Sequence, residues 1–188
     1  MISDDVPGTD SGSPNQPALH PTNRALLDYW YSKQNGCVAP REASIDPTEI
    51  QSLLPDLIIY ERIEPDHFQV RVVGRRVVSR IGVDPTGGNI FELFSERFKS
   101  GVMAAMNRIL DEPCAQVTTV RDRFPSGRKG LVEVLRLPLT DEGGRPRYII
   151  SSTAELQPLD DETSREMPEL IAEPVANRFL ALEAPQSA

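Results

Sequence analysis

The chain has 188 residues, with 28 acidic and 20 basic side chains that give a formal net charge of −8 at pH 7. Two cysteines and two histidines are too few for a disulfide framework or a His-rich metal site. The acidic start lacks the basic and apolar stretches of a signal peptide, and no apolar run reaches the roughly 18 residues of a membrane span. We therefore expect a cytoplasmic protein with no membrane span.

The negative charge belongs to the two ends of the chain. Residues 24–155 carry 18 basic and 18 acidic side chains and are neutral as a whole. The first 23 residues have a net charge of −3, and the residues from Gln157 onward have a net charge of −5. A neutral body with acidic arms has no general attraction to phosphate backbones, so we expect no nucleic-acid partner.

The first part of the chain is predicted to contain an acidic tail, two helices and a strand hairpin. Residues 1–22 are rich in Gly, Pro, Ser and Asp, which favours disorder. Thr22 or Asn23 can cap the first helix, and Pro47 suits the first turn of the second helix, which ends at Pro55. The predicted elements are helices over 25–34 and 46–55 and strands over 57–62 and 68–73.

One long helix and three strands are predicted for the second part. The helix over 96–110 carries Phe98, Val102, Met106 and Ile109 on one face. The strands are predicted over 115–124, 129–137 and 147–156. This order of elements indicates an α+β fold, with an antiparallel sheet and helices on one face.

The end of the chain, residues 158–188, is predicted to be a second flexible acidic tail. Within it, the segment from Ser164 to Leu182 can form an amphipathic helix. Pro168 and Pro174 interrupt that helix, which makes it marginal.

No motif in the sequence indicates an enzyme or a bound metal. The glycines within residues 82–89 lack the Lys-Ser/Thr pair of a phosphate-binding loop and the strand-to-helix context of a dinucleotide site. His67 is the one histidine of the predicted body, and no serine lies in a G-x-S-x-G pattern. We therefore expect no catalytic residues, no metal and no cofactor.

Four arginines form a basic cluster, and they are Arg71, Arg75, Arg76 and Arg80. They can serve as an anion-binding patch, or they can pair with neighbouring acidic side chains. We favour the salt bridges, since charged side chains on a protein surface usually pair with nearby opposite charges and lie in solvent.

A series of short motifs follows in a characteristic order along the chain. They are Tyr29-Trp30, Pro40-Arg41, Asp46-Pro47, Leu53-Leu54-Pro55, Phe68, Arg71, Gly74, a turn with Gly82, Asp84, Thr86 and Gly87, and Leu137-Pro138-Leu139. In the order and spacing of these motifs, the chain resembles a bacterial family of stand-alone PAS domain-containing proteins. Members of that family have a single PAS-like domain and no output domain. The resemblance implies a five-stranded antiparallel PAS sheet within a domain over 23–157, whose N-terminal extension is helical.

The sequence departs from the cofactor-binding members of that fold. The Asn-Cys-Arg-Phe motif that forms a flavin adduct in light-sensing relatives is absent. The helix over 96–110 also lacks the histidine that haem-binding PAS domains carry on their long helix. We therefore expect neither flavin nor haem.

The resemblance and the missing catalytic motifs favour a non-catalytic signalling module that acts through protein–protein contacts, as a single-domain adaptor or regulator. The first helix carries an apolar stripe of Leu26, Leu27, Trp30 and Tyr31. A PAS-like body is expected to cover only part of this stripe, so these residues are candidates for a homodimer interface. The competing interpretation is that the helix packs back on its own sheet.

The alternative function is a sensor that holds a small, colourless organic ligand between the long helix and the sheet. Aromatic and Met side chains line adaptable pockets, which makes Phe91, Phe94, Met103 and Met106 the candidate cleft residues. Plain packing in the core competes as an interpretation of these four residues.

Overall fold

The computed structural model describes residues 18–124, 127, 129–159 and 173–182. The α-helices are α1 (Pro21–Ser32), α2 (Arg75–Ile81) and α3 (Glu96–Asp111). The strands are β1 (Leu57–Glu64), β2 (His67–Val73), β3 (Cys114–Arg123), β4 (Lys129–Thr140), β5 (Pro146–Leu159) and β6 (Glu173–Ala181). Short 3-10 turns lie at Glu42–Ser44, Leu54–Asp56 and Ile90–Leu93.

The six strands form one sheet in the order β2-β1-β5-β4-β3-β6, and every neighbouring pair is antiparallel. The chain therefore makes the β1–β2 hairpin, crosses over through α2 and α3, and returns in a meander of β3, β4 and β5. The predicted α+β class and antiparallel sheet are confirmed. No helix in the described part of the chain is long and apolar enough to cross a membrane.

The sixth strand, β6, is a correction to the prediction. Residues 164–182 are predicted as a helix, and the part that the structure describes, Glu173–Ala181, is a strand paired with β3. The open edge of β3 offers a row of unpaired N–H and C=O groups, which pairing satisfies. Pro174 breaks a helix but is tolerated near the start of an edge strand. Residues 160–172 lie outside the described residues.

Helices cover both faces of the sheet. Because successive residues of a strand point to opposite faces, Ile149 of β5 packs in the core beneath α3 and Ile150 packs in the core beneath α1. The helices α2 and α3 lie on one face as expected, whereas α1 covers the other. The position of α1 agrees with the competing interpretation, in which this helix packs back on its own sheet.

Helix α1 is fixed to the sheet by buried polar contacts as well as by apolar ones. The Trp30 indole Nε1 donates to the carbonyl of Pro138 at 2.8 Å. Asn23 Nδ2 donates to Glu133 Oε1 at 2.9 Å, and Ser152 Oγ donates to Asn23 Oδ1 at 2.5 Å. All these groups are buried, so α1 is part of the monomer's core.

The apolar stripe of α1 is therefore not the exposed surface that the sequence predicts. Leu26, Leu27 and Trp30 are buried against the sheet, and Tyr31 is half-buried beside Trp30. The physical reason is that the sheet has two apolar faces, and the face away from α3 accepts the stripe. Homodimerisation stays a prediction, but it would have to use other surfaces than these three side chains.

Candidate functional site

A cavity of about 340 Å³ lies between α3 and the sheet. Most of its lining is apolar, including Ile58, Val77, Ile90, Phe94, Phe98, Val102, Val120, Val132 and Val134. Its polar lining residues include Tyr60, Arg80, Gln116, Thr118, Asp122, Arg136 and Asn177. An apolar pocket with a few converging polar groups is the usual form of a small-molecule site.

Strands β3 and β4 place the polar groups at the two ends of the cavity. Alternation along β3 turns Gln116 and Asp122 to the same face, six residues apart or about 20 Å along a strand. Arg136 of β4 stands opposite Gln116 in the register. The side chains between them are Val120, Val132, Val134 and Thr118, so the cavity has a cationic end at Arg136 and a carboxyl group towards its other end.

Arg136 is a buried cation held by an amide network. It is 8% exposed, and its Nη1 donates to Gln116 Oε1 at 2.8 Å. The Gln116 Nε2 in turn donates to Asn177 Oδ1 of β6 at 2.9 Å. Burial lowers the pKa of Arg136, and the neighbouring Tyr60 opposes that change. Arg136 Nε has no hydrogen-bond partner among the described residues.

Asp122 is a half-buried side chain whose carboxyl group carries a second buried polar atom. Its Oδ1 is buried and has no hydrogen-bond partner in the described part of the chain. Burial raises the pKa of Asp122 to about 6, although the positive charge of Arg80 and the backbone N–H of Arg123 oppose the rise. The carboxyl group therefore changes its charge near physiological pH.

The Asp122 carboxyl group is expected to make the free energy of unfolding depend on pH. Because its pKa of about 6 exceeds the ordinary 3.8, its contribution to stability is full below pH 4 and is lost as the pH rises through 6. At about 1.4 kcal/mol per pKa unit, the loss is at most about 3 kcal/mol. We expect Asp122→Asn to gain stability relative to the unsubstituted chain between pH 4 and pH 7, measured by urea unfolding across pH.

A matched control is Glu142→Gln, which makes the same chemical change on the exposed turn between β4 and β5. Its stability relative to the unsubstituted chain should stay nearly constant over the same pH range. A difference for Asp122→Asn that is equally constant would contradict the account of this buried carboxyl group.

The structure brings one of the four predicted cleft residues to the cavity. Phe94 lines it, whereas Phe91 and Met106 are fully buried in the core beneath α3. Met103 lies beside a separate surface depression that includes Asp66. The helical stripe identifies the side of α3 that faces the sheet but does not distinguish packed positions from open ones.

Sequence reasoning missed Arg136, Gln116 and Asp122. One pattern points to the first of them: Arg136 and Glu133 are the two charged residues within the otherwise apolar stretch Leu131–Leu139 of β4, where burial disfavours charge. Gln116 and Asp122 give no comparable signal, since their role depends on the pairing of β3 with its two neighbours.

Three of the four arginines of the cluster, Arg71, Arg76 and Arg80, make salt bridges, as we expected from the sequence. Arg71 Nη1 lies 3.3 Å from Glu61 Oε2. Arg76 Nε donates to Asp56 Oδ1 at 2.9 Å, and Arg80 Nη2 lies 3.9 Å from the same oxygen. The buried carboxylate Asp56 thus holds two of these arginines on α2. Among the described residues, no group of three His, Cys, Asp or Glu side chains is placed to hold a metal ion.

The antiparallel sheet, the helices that cross from β2 to β3 and the cavity beneath α3 define a class of α+β domain. The PAS domain family matches residues 18–153. The chain belongs to the PAS domain family, and the resemblance seen in its motifs is confirmed. Such domains are generally signalling or sensory modules rather than enzymes.

Several solved structures are similar to this chain. A light-oxygen-voltage domain studied with a flavin analogue is 12% identical with a TM-score of 0.47, over 58% of this chain and 83% of that one. The LOV protein of Rhodobacter sphaeroides is 14% identical with a TM-score of 0.44, over 60% and 69%. Vibrio cholerae VqmA, in complex with ligand and DNA, is 14% identical with a TM-score of 0.47, over 60% and 51%. No curated protein matches the chain.

Proposed function

We propose that this PAS domain is a sensor that binds a small organic molecule in the cavity between α3 and the sheet. The observation that carries the proposal is the cavity itself, an apolar space of about 340 Å³ with buried polar atoms on its walls. Proteins leave few buried polar atoms unpaired, since each costs about 1–3 kcal/mol. A bound ligand would supply the missing partners.

The adaptor function, in which the domain acts through protein contacts alone, has less support. It depends on an exposed apolar stripe on α1, and Leu26, Leu27 and Trp30 are buried in the monomer. A protein partner that responds to the ligand is compatible with the sensor. The domain itself is proposed to be non-catalytic.

A chain of hydrogen bonds that starts at Arg136 connects the cavity to the surface of the protein. Gln116 joins Arg136 to Asn177, and Asn177 lies on the edge strand β6, whose outer side is exposed. A ligand that moves the guanidinium would also change the hydrogen bond that holds β6. The proposed output of the sensor is therefore a change in this edge strand.

A second prediction tests the proposal by filling the cavity. Gly101 lies on α3 in the cavity lining, and a Cβ atom built on it meets nothing within 4 Å. We expect small organic probes (octanoate, octanamide and octanol) to raise the melting temperature of the protein. The variant Gly101→Leu should lose that rise, because its side chain occupies the space the probe needs.

The variant should fold well, since replacing glycine within a helix by leucine favours the helix by about 0.5–1 kcal/mol. Lys99→Leu is the matched control, because it adds the same side chain to α3 outside the cavity lining. Equal responses in Gly101→Leu and the unsubstituted protein, or no response to any probe, would contradict the proposal.

A further inference from the structure

We infer that the ligand is an organic anion, an apolar body that ends in a carboxylate, and that Arg136 binds this carboxylate. The inference rests on the proposed function, because it assigns the chemistry of the same cavity. It starts from a charge that the described part of the protein does not balance.

Arg136 has no carboxylate partner among the described residues. The ion pairs found there do not include it, although it is 8% exposed. Removing an unpaired cation from water costs several kcal/mol, so buried arginines are normally paired with an anion. The missing anion is the first indication of what the cavity accepts.

The fully buried carboxylates among the described residues are engaged elsewhere, and Asp122 lies six residues along β3 from Gln116, the residue that stands opposite Arg136. Asp56 binds Arg76 and Arg80, while Glu61 binds Arg71 and Arg147. A third, Glu133, lies three residues before Arg136 on β4 and therefore faces the other side of the sheet. There it accepts hydrogen bonds from Asn23 and from the backbone of His20.

The guanidinium of Arg136 is also held in a fixed orientation and keeps one unused hydrogen-bond donor among the described residues. Gln116 Oε1 accepts from Nη1 and is itself tied to Asn177, so one side of the planar group is anchored. Nε is left without a partner in the described part of the chain. A positioned guanidinium with an unused N–H suits a carboxylate, which such a cation binds through charge-assisted hydrogen bonds.

The rest of the cavity accepts an apolar body. From Arg136 the lining continues along Val134, Val132 and Val120 of the sheet, opposite Phe98 and Val102 of α3. Burying an apolar chain here is favourable, because it removes apolar surface from water. The geometry thus points to monocarboxylic acids with an aliphatic or aromatic body.

The test compares octanoate with octanamide, which has the same length and no charge, by isothermal titration calorimetry. The unsubstituted protein should bind octanoate more tightly. In Arg136→Met the affinity for octanoate should fall at least about 30-fold, as for truncation of one partner of a buried charged pair, while octanamide binding changes little. The variant should stay folded, because methionine replaces an unpaired buried charge by an apolar side chain.

Arg75→Met is the matched control, because it removes an exposed arginine of α2 that does not line the cavity. It should change octanoate affinity only slightly. Equal binding of octanoate and octanamide, or an unchanged preference in Arg136→Met, would overturn the carboxylate inference and leave the proposed sensor intact. Binding of neither probe would overturn both.

Discussion

Replacing Trp30 by alanine is expected to lower the free energy of unfolding by about 3–5 kcal/mol. Trp30 is 0% exposed and lies in the core between α1 and the sheet. Its removal opens a cavity there and leaves the carbonyl of Pro138 without the indole hydrogen bond at 2.8 Å. Urea unfolding followed by circular dichroism measures the effect, since Trp30 is the chain's one tryptophan and fluorescence would be lost.

The control is Tyr31→Ala on the same helix, where the ring is half-buried and the expected loss is smaller. Sedimentation of both variants separates the core role of α1 from an interface role. A protein that sediments as a dimer and becomes a monomer of unchanged stability in Trp30→Ala would contradict the placement of this side chain in the core.

Gly74→Ala is expected to cost at least about 3 kcal/mol, at or above the upper end of the usual range for overpacking. Gly74 lies where β2 meets α2, and its N–H donates to the carbonyl of Leu57 at 2.7 Å. An added Cβ would stand 2.3 Å from the carbonyl oxygens of both Leu54 and Pro55. These are backbone atoms, so the clash is relieved only by moving the turn or α2.

Two other glycines make the test specific. Gly74 has an ordinary φ of −75°, so its substitution is purely a steric change. Gly87 has a φ of +83° and open space around it, so Gly87→Ala should cost only about 1–2 kcal/mol of backbone strain. Gly101→Ala should be neutral or stabilising. Equal losses for Gly74→Ala and Gly87→Ala in urea unfolding would contradict the close approach.

Most elements that depend on local sequence were predictable, but the helix predicted over 46–55 does not form, and that segment consists of turns with a 3-10 turn at Leu54–Asp56. The periodicity around Phe98 and Met106 marks α3, and the Pro65-Asp66 turn between two apolar runs marks the β1–β2 hairpin. The features that were not predicted depend on contacts between residues that are far apart in the sequence. The strand β6 forms because β3 has an open edge, and the stripe of α1 is buried because the sheet has a second apolar face.

The candidate site likewise contains one residue that local sequence predicted and others that depend on long-range contacts. Phe94 could be assigned to the cleft from its place before α3. Arg136 could be noticed in an apolar strand, but the lack of a carboxylate partner for it among the described residues is apparent only once Asp56 and Glu61 are seen to bind other arginines. Asp122 needed the register of β3 and the position of α2 before its burial could be recognised.

The central claim is that the space between α3 and the sheet is a ligand site. Amide NMR spectra of the isotope-labelled protein, recorded as octanoate is added, test it most directly. The account predicts the largest shifts at Gly101 and Val102 of α3 and at Val134 and Arg136 of β4, with Trp30 of α1 nearly unchanged. Shifts confined to the α1 side of the sheet, or no saturable shifts at all, would contradict it.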